Sequence, residues 1–137
     1  MQLKFDKATG LLPAIVQESG TGKVLMLGFM NAESFEKTLA TGNVTFFSRS
    51  RNKLWVKGES SGHVLKVEDI RVDCDADAVL VVAEQLGPGT CHEGYRSCFF
   101  RRVEAGDLVI AEPRAFDPEQ VYGDSSKSQS PAPANKE

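Results

Sequence analysis

No apolar run in this chain of 137 residues approaches the roughly 20 residues of a membrane-spanning helix. Its opening, MQLKFDKATGLLPAIVQ, lacks the basic start and continuous apolar core of a secretory signal, so a soluble cytoplasmic protein is expected. An excess of positive charge is also missing. The net charge of −3 gives the chain as a whole no electrostatic case for binding nucleic acid. Cysteine is scarce and odd in number: Cys74, Cys91 and Cys98 argue against a disulfide framework and leave no fourth thiol to close a structural zinc site made of cysteines alone. There is no internal repeat, and the length suits one domain with one core.

What is present reads as strands around one short helix. LLPAIVQES and KVLMLGFM form two strands joined by the turn SGTG. NAESFEKTLATG then predicts an amphipathic helix, with Asn31 as N-cap, Phe35 and Leu39 on one face, and Gly42 as the stop. NVTFFS reads as a third strand, followed by strands near 63–72 and 78–86. RSCFFRRV is expected as the last core strand, and EAGDLVIAEPRAF as a peripheral strand or extended arm. The whole predicts a compact α+β domain with a mixed or antiparallel sheet over residues 1–115. Residues 116–137 are polar and expected to be a disordered tail.

Two segments carry chemistry. DCDAD, residues 73–77, puts three carboxylates and a thiol between two apolar runs. If it continues a strand, Asp73, Asp75 and Asp77 share one face and Cys74 points the other way. The carboxylates suit a hard cation such as magnesium, and a thiolate suits a softer one such as zinc. A calcium loop is rejected, because Ala78 stands where that loop needs glycine and the flanks are strand-like. The alternative is a solvated acidic turn.

The second segment, GPGTCHEGYRSCFF, holds Cys91, His92 and Cys98. With Cys74 it offers three thiolates; three protein ligands and an open position is the arrangement of a catalytic zinc. Three buried thiols acting as small apolar groups are the alternative. His92 can be a fourth ligand, a proton carrier or an ordinary loop histidine, and His63 structural or substrate-facing. Residues 48–62, SRSRNKLWVKGESSG, reverse the sign of the chain, with Arg49, Arg51, Lys53 and Lys57 against Glu59. They suit an anion, a solvated basic hairpin, or a weak nucleic-acid patch with Trp55 for stacking.

MLGFMN (26–31), SRSRNKLWVKGESSGH (48–63), RVDCDADAVLVV (71–82) and TCHEGYRSCFFRR (90–102) occur together and in order. In these four motifs the chain closely resembles the phosphoribosyl-AMP cyclohydrolase family of histidine biosynthesis, over about residues 11–103. The resemblance implies zinc- and magnesium-dependent hydrolysis of the N1–C6 bond of the adenine ring of 1-(5-phosphoribosyl)-AMP. It implies zinc on Cys74, Cys91 and Cys98, and magnesium on Asp73, Asp75 and Asp77. It further implies an intertwined two-fold homodimer in which Cys74 reaches across the interface. With such a substrate, Arg49, Arg51, Lys57, Ser60 and Ser61 become candidate phosphate contacts, and His92 a candidate proton carrier. Glu93 and Leu65 depart from the family pattern, and neither removes a ligand. The usual signature of a zinc nucleobase deaminase is absent. A purely structural zinc module remains the non-enzymatic rival.

Overall fold

Strict alternation along β1 (Leu12–Glu18) turns Leu12, Ala14 and Val16 into the core, and Glu18 falls in the same phase. In the computed structural model, which describes residues 2–120, β1 pairs antiparallel with β2 (Val24–Met30) and parallel with β6 (Val79–Gln85). β5 (Leu65–Val72) pairs antiparallel with β6, giving a four-stranded mixed sheet in the order β2-β1-β6-β5. Val79, Val81 and Ala83 of β6 repeat the inward alternation beside those of β1. The α+β fold with a mixed sheet and one main helix is as expected. No helix among the described residues is long and apolar enough to cross a membrane.

The helix α1 (Ala32–Thr41) forms where the caps place it. Asn31 accepts from the Ser34 amide at 2.8 Å, the Ser34 hydroxyl accepts from the Asn31 amide at 2.9 Å, and Gly42 ends the helix at φ 76°. Its buried face is not the expected one. Ser34, Phe35 and Thr38 are buried, while Leu39 is 48% exposed. The cause is polar: the Thr38 hydroxyl donates to the Ser34 carbonyl at 2.8 Å and accepts from the Thr45 amide at 3.0 Å. That docks the helix one position away from the apolar spacing, against β3 (Thr45–Ser48).

β3 pairs with β4 (Lys53–Val56), a strand inside the basic stretch that composition alone reads as a polar loop. Phe46 and Trp55 meet across this hairpin with ring centroids 5.2 Å apart, and both are buried. Leu65, the unusual apolar residue after His63, is fully buried in the same core.

RSCFFRRV does not make a core strand. Residues 95–100 form a loop, and β7 (Arg101–Glu104) pairs only with β8 (Asp107–Ile110). This hairpin exposes Val103 and Leu108 at 76% and 61%. β8 is thus the peripheral strand expected from DLVI. Of the expected tail, residues 116–120 are described: the Phe116 amide bonds the Gly94 carbonyl at 3.1 Å, and its ring meets His63 edge-on at 4.9 Å. The remainder of that tail, 121–137, lies outside the described residues.

Candidate active site

The DCDAD segment is a turn joining β5 to β6, not an extension of either strand. Ala76 adopts φ 64°, and the Asp73 carboxylate accepts from the Asp77 amide at 3.0 Å and the Ala78 amide at 3.3 Å. The Ala76 carbonyl accepts from the Lys4 amide at 2.7 Å, tying the N-terminal segment to the turn. Strand alternation therefore gives the wrong reason for the carboxylates sharing a side; the turn brings them together instead. Ligand oxygens of Asp73, Asp75 and Asp77 all lie within 4.8 Å of one another. Cys74 stands outside that group, exposed on the same turn.

Such crowding splits the titration of the three acids. Asp77 is raised, first by its hydrogen bond with Asp73 and then by desolvation and the neighbouring charges. Desolvation works to raise Asp73 too, but hydrogen bonds from Asp77 and Ala78 outweigh it and the net direction is down. Mutual separations of this size fit oxygen ligands around one small hard cation. An open cleft of about 490 Å³, lined in part by Lys4, Lys7, Asp75 and Asp77, adjoins the turn.

Cys91 and Cys98 lie elsewhere. Both belong to the 89–98 loop, where Cys91 is buried and Cys98 partly buried, together with Tyr95 and Phe100. None of the three cysteines forms a disulfide. Three long-range contacts fasten this loop to the β1–β2 hairpin. The Cys98 amide donates to the Leu25 carbonyl at 2.7 Å, the Ser97 hydroxyl donates to the Val24 carbonyl at 2.7 Å, and Arg96 pairs with the buried carboxylate of Glu18. Cys74 does not join the other two thiols. Among the described residues, the three aspartates are the one group of three metal-ligating side chains that converges. The thiol pair fits a soft cation in donor chemistry, and among the described residues no third metal-ligating side chain converges with it.

Lys57 faces this pair. It is 5% exposed, with its ammonium 5.9 Å from the centre of the Trp55 ring. Burial pushes the lysine down to about 8, while the charges of Cys98 and Cys91 act to raise it. His63 is a fourth member of this neighbourhood. Burial lowers its pKa, its bond to the Gly89 carbonyl opposes that, and the Lys57 charge lowers it further. His92 is half-buried, with Nε2 3.8 Å from the Glu93 carboxylate.

The remaining candidates spread along the β3–β4 hairpin and the turn after it. Arg49 lies with its guanidinium 4.3 Å from the Phe29 ring centre, Arg51 is half-buried, and Ser60 is exposed. The Ser61 hydroxyl accepts from the His63 amide at 3.1 Å. Sequence reasoning missed Glu18 and Arg96. The signal was there, because Glu18 is a charged residue in phase with Leu12, Ala14 and Val16, and a buried charge requires a partner. The same phase argument, Trp55 to Lys57, finds the buried lysine.

Comparison with known proteins agrees with this arrangement of motifs. Residues 26–100 match the family model described as phosphoribosyl-AMP cyclohydrolase. A phosphoribosyl-AMP cyclohydrolase of Solibacter usitatus is 57% identical over 126 residues, covering 92% of this chain and 100% of the relative. The protein of that name from Nitratidesulfovibrio vulgaris is 53% identical over 118 residues, covering 86% of this chain and 94% of its own. That of Desulfatibacillum aliphaticivorans is 55% identical over 122 residues, covering 89% and 98%. A match over most of the fold, carrying the acidic turn and the thiol loop within it, places this chain in the phosphoribosyl-AMP cyclohydrolase family of hydrolases.

Proposed function

We propose that this chain hydrolyses the N1–C6 bond of the adenine ring in 1-(5-phosphoribosyl)-AMP, a step of histidine biosynthesis, leaving a ring-opened carboxamide. The observation that carries the reading is the packing of Cys91 and Cys98 in one small apolar cluster beside a buried lysine. Cys91 and Cys98 would hold zinc together with Cys74 of a second copy, and Asp73, Asp75 and Asp77 would hold magnesium. Zinc so held supplies the Lewis acidity that makes water nucleophilic near neutral pH.

The chain's own residues do the rest. The Lys57 ammonium offsets the charge of the thiolates and keeps the buried pocket near neutrality. Arg49 and Arg51 can take phosphate oxygens in bidentate pairs, with Ser60 and Ser61 as further donors. His92 carries a proton to N1 as that nitrogen departs. A homodimer is supported by two features: an exposed Cys74 with no thiol partner group in its own chain, and the uncovered apolar side chains Val103, Leu108 and Ile110. A cytoplasmic location accords with a biosynthetic hydrolase of this family.

Ultraviolet absorbance on ring opening of phosphoribosyl-AMP, with and without a zinc chelator, tests the reading. Turnover should vanish with chelator and in Cys91→Ala, while the product keeps its amino nitrogen in a carboxamide. Chelator-resistant turnover would remove zinc from the account. Release of ammonia would make the chemistry a deamination.

A further inference from the structure

His63 is held by more contacts than a strand-leading residue needs. Its Nδ1 lies 3.2 Å from the Gly89 carbonyl oxygen, and Phe116 meets its ring edge-on at 4.9 Å. Two glycines make room for it. A Cβ at Gly58 would come 2.4 Å from the His63 carbonyl carbon, and one at Gly87 would come 2.6 Å from the imidazole Cδ2. The ring is therefore fixed in place and in orientation.

Its tautomer is fixed too. A carbonyl oxygen only accepts, so Nδ1 carries the hydrogen and the lone pair sits on Nε2. Among the described residues Nε2 has no hydrogen-bond partner, and the residue is only partly buried. Gly89, which takes the Nδ1 hydrogen, is two residues before Cys91, and Lys57 acts electrostatically on both His63 and the thiol pair. The lone pair thus belongs to the neighbourhood of the proposed zinc pocket.

Ring opening by water requires one group to take a proton and another to give one. We propose that His63 is the proton acceptor: Nε2 takes a proton from the attacking water, leaving His92 as the donor. This rests on the ring-opening reading above. In the step, an O–H bond of water breaks and its proton moves to Nε2, while the oxygen bonds to C6 and the C6=N electron pair moves onto the exocyclic nitrogen. That nitrogen takes the remaining O–H proton as the carboxamide C=O forms; the C6–N1 bond breaks, N1 keeps the electron pair, and it takes a proton from His92. Water is added in sum, and exchange with solvent resets the two imidazoles. Burial, with the neighbouring Lys57 charge acting in the same direction, favours the neutral form of His63 that can accept.

Isosteric substitutions separate this role from a structural one. In His63→Asn the amide nitrogen replaces Nδ1 and keeps the Gly89 bond, while Nε2 is lost; in His63→Ala both are lost. Ring-opening rates are measured on the full zinc-loaded protein, normalised to bound zinc and to native circular dichroism. His63→Asn should lower kcat roughly 100-fold or more, leave KM within about threefold, and melt as the wild type does. Added imidazole should restore part of the turnover of His63→Ala. A His63→Asn enzyme turning over within about threefold of wild type would overturn the proposal. So would an Ala variant, folded and zinc-loaded, that imidazole does not rescue. If the wild type itself opens no ring, the ring-opening reading fails; if it does and His63→Asn equals it, only the role of His63 fails.

Discussion

The acidic turn and the thiol loop are two candidate metal centres built on opposite plans. Asp73, Asp75 and Asp77 come from five consecutive positions, stand exposed, and are shaped by hydrogen bonds inside their own turn. Cys91 and Cys98 are withdrawn into an apolar pocket, and their loop is pinned to Val24, Leu25 and Glu18, some 70 residues away. Among the described residues, three carboxylates converge at the turn, whereas no third metal-ligating side chain joins the two thiols. The difference matches what the two proposed ions would require. A hard cation that keeps several waters tolerates an open, charged turn. A thiolate site that activates water gains from a dry, shaped wall, and building that wall takes distant parts of the fold.

If the incomplete site is completed by Cys74 of a second copy, two inactive proteins should repair each other. Cys74→Ala and Cys91→Ala should each lose turnover by about a thousandfold, as removal of several kcal/mol of electrostatic stabilisation requires. Mixed and allowed to exchange, they form heterodimers in which one site has all three thiols and the other has one. Recovery of about a quarter of the wild-type rate is expected from random pairing. Heterodimers that form, as judged by co-purification through an affinity tag carried by only one of the two variants, yet remain inactive would show that the thiol site does not borrow Cys74.

How much of each region the sequence reveals follows from the range of the contacts that make it. The α1 caps at Asn31 and Gly42 and the gathering of the three aspartates depend on neighbours, and both are legible. Even so, alternation predicted the right company for Asp73 by the wrong geometry, because the positive φ of Ala76 and the amides captured by Asp73 override strand continuation. Leu39 is misplaced because spacing cannot anticipate a hydrogen bond that Thr38 accepts from the Thr45 amide of a strand not yet formed. RSCFFRRV has strand-like residues, but the bond from Cys98 to Leu25 and the Arg96–Glu18 pair commit it to a loop. Both cysteines in that region are plain in the sequence. Their burial beside Lys57 is a property of the fold.

A gentler way to sharpen the contrast is to loosen one site's scaffold without touching a ligand. Glu18→Gln removes a charge that is buried on one side and meets a guanidinium exposed on the other. The expected loss is about 2 kcal/mol of stability in urea denaturation, below the range for fully buried pairs because Arg96 is partly solvated. Zinc affinity by chelator competition should fall roughly tenfold, as for other outer supports of a metal site. Magnesium binding at the acidic turn should not change. An equal loss at both sites would mean that Glu18 supports the whole sheet rather than the thiol loop.

The smallest effect is expected at the turn itself. Asp75 is exposed and its charge adds to the crowding that raises Asp77, so Asp75→Asn should melt at or slightly above the wild type when no divalent cation is present. Adding magnesium should raise the wild-type melting temperature by about 3 °C, since any ligand of the native state alone stabilises it. The variant has two carboxylates where three oxygens converged within 4.8 Å. Its rise should therefore be smaller, or need far more magnesium. The same titration on Cys74→Ala is the control, because that thiol shares the turn but stands outside the carboxylate group. If Cys74→Ala loses the magnesium response as Asp75→Asn does, the turn is a single mixed site. If it keeps the response, the two centres are separate even though both draw on one five-residue turn.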